Sequence, residues 1–242
     1  MAAEMDVDRE VREAFFKGKS DGGVFVEIGA ARPDFLSISA SFRSLGWKII
    51  AVEANPDFCA LHRALGYNVY EYACSDVESD DANFFIVDSL GADYLGGSVS
   101  FESFSSLGIK DEFHELHETV KDKTKTRSVS VKVRRLDTIL ELHEPTVQHI
   151  DILAVDVEGW ELNVMRGLSV SKYSPRVIIL ENLFKKDDYT AYMQSIGYTL
   201  WRHLEPNDVY VAADLSPAES IQRPRINWLG KLVRAAKALK NG

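Results

Sequence analysis

Two short apolar runs, VFVEIGA at Val24 to Ala30 and IIAVEANP at Ile49 to Pro56, each carry a glutamate at their polar end, and a helix-length stretch separates them. That spacing constrains the fold more than any other feature, because a strand–helix–strand unit of this length makes two parallel neighbouring strands. A parallel sheet brings the carboxyl ends of such strands to one edge, where open α/β folds bind their ligands. Glu27 and Glu53 are then expected side by side. A carboxylate ending the second strand is suited to accept both hydroxyls of a ribose, which points to an adenosine-containing cofactor.

The chain has 242 residues, 45% of them hydrophobic and 27% charged, enough for one α/β core with little left for a second. We expect an N-terminal helix in residues 1–22, one domain over 23–213 with an insertion or lid at about 88–127, and a tail over 214–242. No apolar run approaches the roughly 18 residues of a membrane span, and the acidic start MAAEMDVDRE does not read as a signal peptide. A cytoplasmic protein is expected. Cys59 and Cys74 are the only cysteines, too few for a disulfide framework, and read as small buried residues.

A formal net charge of −9 argues against a nucleic-acid partner, which normally meets a basic face. The charge is unevenly placed. Six basic residues and no acid lie between Arg223 and Gly242, so this +6 segment leaves −15 on the remainder. Trp228, Leu229, Leu232, Val233, Ala236 and Leu239 recur there at helical spacing. Residues 223–240 thus read as a basic amphipathic helix, packed on its own domain or a neighbouring subunit, or laid on an anionic membrane surface.

Along the chain, Asp6 to Lys17 has an amphipathic helical pattern, and Gly22-Gly23 breaks it before the first strand. A crossover helix is expected over Pro33 to Leu45, a second strand over Lys48 to Glu53, a helix from Asn55-Pro56 to Leu65, and a third strand over Asn68 to Ala73. Asn83 to Val87 and Ser128 to Arg134 alternate like strands. After a helix over Arg135 to His143, ILAVD and RVIILEN read as buried strands ending at Asp156 and Glu181, with a helix from Trp160 to Leu168 between them. The segment GYTLWRHLEPNDVYVAA, with its turn at Glu205 to Asp208, reads as an antiparallel hairpin. The fold class expected is α/β: a Rossmann-like, doubly wound, mostly parallel seven-stranded sheet with a C-terminal antiparallel hairpin, the pattern of class I methyltransferases.

The segments VFVEIGAARPDFLS, AVEANP, VRRLDTIL, LAVDVEGWELNVMRG, VIILEN and NDVYV, in this order over Val24 to Val211, resemble the FkbM-type S-adenosylmethionine-dependent methyltransferases. DVEGxE followed by a strand ending in Glu is the most specific part. Family members usually read aspartate-hydrophobic-Gly-Ala-Asn-x-Gly at the first loop, whereas this chain has Glu27, Ile28, Gly29, Ala30, Ala31, Arg32 and Pro33. The asparagine and second glycine are missing, so the backbone is expected to approach the methionine part of the cofactor differently.

Each strand end also has its own chemistry. Gly29 permits a tight turn, while Glu27 can hold loop amides or, through water, the cofactor's ammonium. Gly29, Ala30 and Ala31 in the first loop, Glu53, Ala54 and Asn55 after the second strand, Ser75 and Asp76 after the third, and Asp156 after the fourth make up, with Glu27, the expected cofactor wall. Asp76 could accept from an adenine amino group or simply shape a turn.

On the other half of the edge, Asp156, Glu158, Glu181 and Asn182 form an acidic cluster that is costly to bury without cations or donors. Asp156, Glu181 and Asn182 resemble the metal site of catechol-type O-methyltransferases, and all-oxygen ligands suit Mg²⁺ or Ca²⁺. Without a metal, Glu158 or Asp156 would act as general base on a hydroxyl that Glu181 orients. The bland alternative is that these acids cap helices and hold loop amides. His203, before the hairpin turn, is a further catalytic candidate. His114 and His117 share one helix face and read first as solvated. Tyr94, Phe101, Phe104 and Trp160 could together make a platform for a sugar ring.

The expected activity is O-methylation of a small polar acceptor from S-adenosyl-L-methionine, with the preference for a sugar of a glycan or glycolipid following from the family resemblance alone. A catalytically degenerate fold serving as a scaffold is the non-enzyme alternative. A nicotinamide-dependent oxidoreductase would need further glycines where Ala31 and Asp34 stand, and an amino-directed nucleic-acid methyltransferase would need Pro-Pro-aromatic where Val157-Glu158-Gly159 stands. Nothing in the residues speaks to oligomeric state.

Overall fold

The computed structural model describes residues 6–19, 22–33, 35, 37–89, 93–94, 99–120, 122 and 124–217. The basic segment 223–240 lies outside them. In chain order the elements are α1 (Val7–Phe15), β1 (Val24–Ile28), α2 (Ala40–Ser44), β2 (Lys48–Glu53), α3 (Pro56–Ala64), β3 (Val69–Glu71), β4 (Ala73–Cys74), β5 (Ser79–Asp88), β6 (Asp93–Tyr94), β7 (Val99–Ser100), α4 (His114–Val120), β8 (Lys125–Arg134), α5 (Leu136–His143), β9 (Ile152–Val155), α6 (Glu161–Arg166), α7 (Val170–Tyr173), β10 (Val177–Glu181), α8 (Asp187–Ser195), β11 (Tyr198–Leu204) and β12 (Asn207–Ala212).

Seven strands form one sheet in the order β11-β12-β10-β9-β1-β2-β3, and β12 runs antiparallel between β10 and β11 while the others are parallel. This is the doubly wound α/β sheet with a closing hairpin that the strand pattern implies. Chain order reverses between β1 and β9, which opens a crevice at their carboxyl ends.

Side chains of successive strand residues alternate between the two faces, and both faces are covered. Val26, Ile28, Val52, Leu153, Val155, Ile178 and Leu180 face α5, α6 and α8 through Leu136, Leu140, Met165 and Met193. Phe25, Ile152, Ala154, Val177 and Ile179 face the other way, onto Val7 and Val11 of α1, Phe42 of α2 and Trp47. Burial of such aliphatic side chains contributes about 1.5–3 kcal/mol each. The N-terminal helix is therefore built into the core of the domain.

Three stretches differ from the sequence expectation. The crossover helix begins at Ala40 rather than Pro33, because the amides of Ile38 and Ser39 bond to the Glu27 side chain instead of entering a helical turn. The third strand divides at Tyr72, whose amide donates to the Glu53 carbonyl at 3.1 Å, so β3 ends the main sheet and β4 enters a second one. That second sheet, β4-β8-β5, takes both alternating segments of the middle region. Between β5 and β8 lie a two-stranded ribbon, two 3₁₀ turns and α4. Among the described residues no helix is long and apolar enough to cross a membrane.

Candidate active site

The crevice at the switch between β1 and β9 is a cleft of about 640 Å³, part of it open to solvent. Its floor is set by a backbone approach that only glycine allows. Gly29 sits at φ 77°, and a Cβ there would lie 1.8 Å from the carbonyl oxygen of Asp156. The Gly29 amide donates to the Val52 carbonyl at 3.0 Å, so the loop after β1 is fastened to β2 on one side and pressed against the end of β9 on the other.

Glu53 forms one wall. Its Oε2 accepts from the Ala31 amide at 2.8 Å and its Oε1 from the Asn55 amide at 2.6 Å. The carboxyl is 6% exposed, and burial pushes its pKa up to about 7 despite these donors and the Ala54 amide, with the Glu27 charge adding to the rise. The two carboxylate oxygens have four lone-pair directions between them, so three amide donors leave room for a further hydrogen bond. Ala31 is held at φ 43°, a left-handed backbone uncommon for alanine.

Asp156 and Glu158 form the opposite wall, and Glu181, which is not among the residues lining the cleft, joins them, each of the three with a carboxylate oxygen within 4.8 Å of the others. The turn that presents Asp156 and Glu158 is strained at Glu158, which has φ 56°, and Gly159 follows at φ 92°. Glu161, 1% exposed at the start of α6, holds that turn by accepting from the amides of Val157 and Gly159, both at 3.0 Å. Its second oxygen accepts from the Tyr189 hydroxyl at 2.5 Å. Burial raises the pKa of Glu161 and of Tyr189 alike.

Gly29, Ala31, Glu53, Ala54 and Asp156 line the cleft, as do Glu158 and Trp160. Several residues singled out from the sequence do not. Glu27 lies on the opposite pleat, with Phe25, and its carboxylate accepts from the Ile38 amide at 2.9 Å, the Ser39 amide at 3.2 Å and the Ser39 hydroxyl at 2.5 Å. Ala30 is buried with Ala51, Cys59 and Val69 beneath α3. Asn55 caps α3, its side chain accepting from the Asp57 amide. Ser75 bonds Asp76, and Asp76 accepts from the Asn163 side chain at 3.0 Å, so both belong to the turn against α6.

The three carboxylates that come together are those of Asp156, Glu158 and Glu181. The Asn182 amide is engaged on both sides, accepting from the Lys186 amide at 2.8 Å and donating to Asp208 at 2.8 Å. His203 belongs to the same network, its Nδ1 lying 2.5 Å from Asp208, and it is not among the residues lining the cleft. His114 is exposed, and the His117 ring lies tilted against Phe104, 5.7 Å between centroids, with its pKa lowered by burial. Trp160 donates from Nε1 to the Gly108 carbonyl and carries the Lys110 ammonium 3.6 Å from its ring centroid.

The far end of the cleft is apolar: Phe58, Tyr72, Ala73, Cys74, Phe84 and Leu107. Sequence reasoning had no signal for this surface, because it is assembled where β4 leaves the main sheet and meets β5 and the insertion. Ser106 bridges to Phe85 of β5, and Arg32 in the first loop pairs with Glu102 at 3.4 Å, so the insertion roofs the cleft.

The chain matches a model of the methyltransferase FkbM domain over residues 27–200. Among solved structures it is similar to the crystal structure of methyltransferase FkbM from Methylobacillus flagellatus KT, with 14% identity and a TM-score of 0.47, over 78% of this chain and 43% of that one. This chain therefore spans less than half of that protein's length. Nothing matches among curated proteins.

Proposed function

Because the chain belongs to the FkbM methyltransferase family, we propose that it transfers the methyl group of S-adenosylmethionine to a hydroxyl oxygen of a small polar acceptor, a sugar of a glycan or glycolipid. The observation that carries this reading is the pairing of two walls in one cleft. Glu53 with the Ala31 loop stands on one side, and Asp156 with Glu158 stands on the other.

In this reading Glu53 receives the ribose hydroxyls, and the apolar end around Phe58 and Phe84 takes the adenine. The bound cofactor supplies a sulfonium methyl open to in-line attack. The chain then has three tasks: to place the acceptor oxygen, remove its proton and keep water out. Glu158 or Asp156 receives that proton as general base, with Glu181 orienting the hydroxyl. Trp160, beside them, offers an aromatic face for a sugar ring.

A second reading of the same wall rests on the mutual approach of its three carboxylates within 4.8 Å, an all-oxygen donor set that suits Mg²⁺ or Ca²⁺. Such an ion would lower the pKa of a bound acceptor hydroxyl. The donor set would then be Asp156, Glu158 and Glu181.

Calorimetry with S-adenosylmethionine and S-adenosylhomocysteine, followed by transfer of a labelled methyl group to a panel of sugar acceptors with and without chelator, tests the proposal. Asp156→Asn and Glu181→Gln are expected to remove turnover while leaving cofactor binding nearly intact, and Glu53→Ala to weaken binding first. Binding of neither ligand would overturn the enzyme reading in favour of a scaffold. Full activity in chelator would exclude an exchangeable ion.

A further inference from the structure

The first loop departs from its family's pattern at Ala31, yet it adopts a left-handed backbone there, at φ 43°. An L-residue in this region costs roughly 1–2 kcal/mol, so something must hold it. One fastening is the amide bond to Glu53 already described. The other comes from α3. His62 is fully buried on that helix, and its ring Nε2 lies 3.1 Å from the Ala31 carbonyl oxygen, so Nε2–H donates to it. Ala31 is thus gripped at both ends of its backbone, by β2 through Glu53 and by α3 through His62.

Resting on the cofactor reading above, we propose that His62 is a positioning residue for the cofactor: by holding the Ala31 carbonyl it keeps a non-glycine residue in the conformation that the first loop requires. His62 itself does not line the cleft, whereas Ala31 does, so the effect on a ligand is transmitted through one backbone group. The arrangement also accounts for how this chain carries alanine where family members have asparagine, a residue that enters the left-handed region more readily. Glycine reaches positive φ unaided, and alanine here does so with two side chains fastening it.

The test is a double-mutant cycle of His62→Leu and Ala31→Gly, read by S-adenosylhomocysteine affinity and by thermal unfolding without ligand. Loss of one buried hydrogen bond predicts that His62→Leu weakens affinity about tenfold. His62→Gln, whose amide nitrogen can take the Nε2 position, is expected to stay within about threefold of the wild type. Ala31→Gly should raise affinity more in the His62→Leu background than in the wild type, restoring there most of what was lost, because glycine needs no clamp. It should also raise the melting temperature more in that background than in the wild type.

A His62→Leu effect that Ala31→Gly does not relieve would assign His62 to the packing of α3 and overturn the proposal. Unchanged affinity in His62→Leu would do the same. His62→Met substitutes where the leucine variant does not fold. Should the wild type bind neither S-adenosylmethionine nor S-adenosylhomocysteine, the cofactor reading fails by itself, and the unfolding data then decide on the clamp: equal shifts from Ala31→Gly in both backgrounds refute it.

Discussion

Glu53 makes the stability of this protein depend on pH in the direction opposite to that of an ordinary paired carboxylate. Its pKa is raised from 4.5 to about 7, first by burial. Between those two values the folded protein holds a proton that the unfolded chain has released, so stability is present at the acid end and lost as pH rises through the window. A shift of this size corresponds to about 3 kcal/mol at roughly 1.4 kcal/mol per unit. Glu53→Gln removes the titration. Urea unfolding of both proteins from pH 4 to pH 8 isolates it: Glu161, also buried with a raised pKa, titrates in each and cancels on subtraction, and Glu27 contributes to the difference only through its interaction with Glu53. Relative to the variant, the wild type should lose about 3 kcal/mol, most of it between pH 4.5 and 7. Parallel stability curves, or a wild type that gains on the variant as pH rises, would refute the reasoning.

Gly29→Ala should cost at least about 3 kcal/mol in chemical denaturation, since it adds left-handed strain to a collision with the Asp156 carbonyl; a loss below 1 kcal/mol, on the order of an exposed Gly→Ala change, would show that the two loops can part. Tyr189→Phe leaves the buried Glu161 carboxylate without its hydroxyl donor, which should destabilise by about 1–3 kcal/mol and lower turnover more than cofactor affinity, as separate unfolding and kinetic measurements would report. Truncation before Arg223 is expected to reduce pelleting with anionic liposomes and leave binding to neutral ones unchanged; equal pelleting of both chains would end the membrane reading of the basic segment.

The strands that build the cleft were legible because a buried parallel strand is a run of apolar residues and its end is the first polar one. Glu53, Asp156 and Glu181 are such ends. What the sequence did not reveal is which side of the sheet a strand residue faces when every residue is buried. Phe25 and Glu27 alternate with Val26 and Ile28, and without knowing which helices cover which face, Glu27 cannot be assigned to the cleft or away from it. The same holds for Asn182, whose amide is diverted to Asp208 by the hairpin. The apolar end of the cleft was hidden for another reason. It depends on the break at Tyr72, and a one-residue bend within a run that reads as one strand leaves no periodic trace.

The two walls hold their negative charge in different ways, and the difference bears on what binds first. The opposite wall brings the carboxylates of Asp156 and Glu158 close to that of Glu181, an all-oxygen arrangement that can receive a cation or a hydroxyl donor. Glu53 has amide donors but is buried, so near pH 6 it holds a proton for most of the time. A ligand bringing two ribose hydroxyls adds donors to the ionised form and draws its pKa down. Binding at pH 6 must then expel that proton, about 0.9 per site if the pKa falls from about 7 to below 5. Calorimetric titration of S-adenosylhomocysteine in two buffers of different ionisation enthalpy measures it directly: the apparent enthalpy should differ between buffers at pH 6 and converge by pH 8. Enthalpies independent of buffer at pH 6 in a protein that binds the ligand would mean that Glu53 does not meet the ribose as a carboxylate released on binding, and the assignment of that wall would have to be given up.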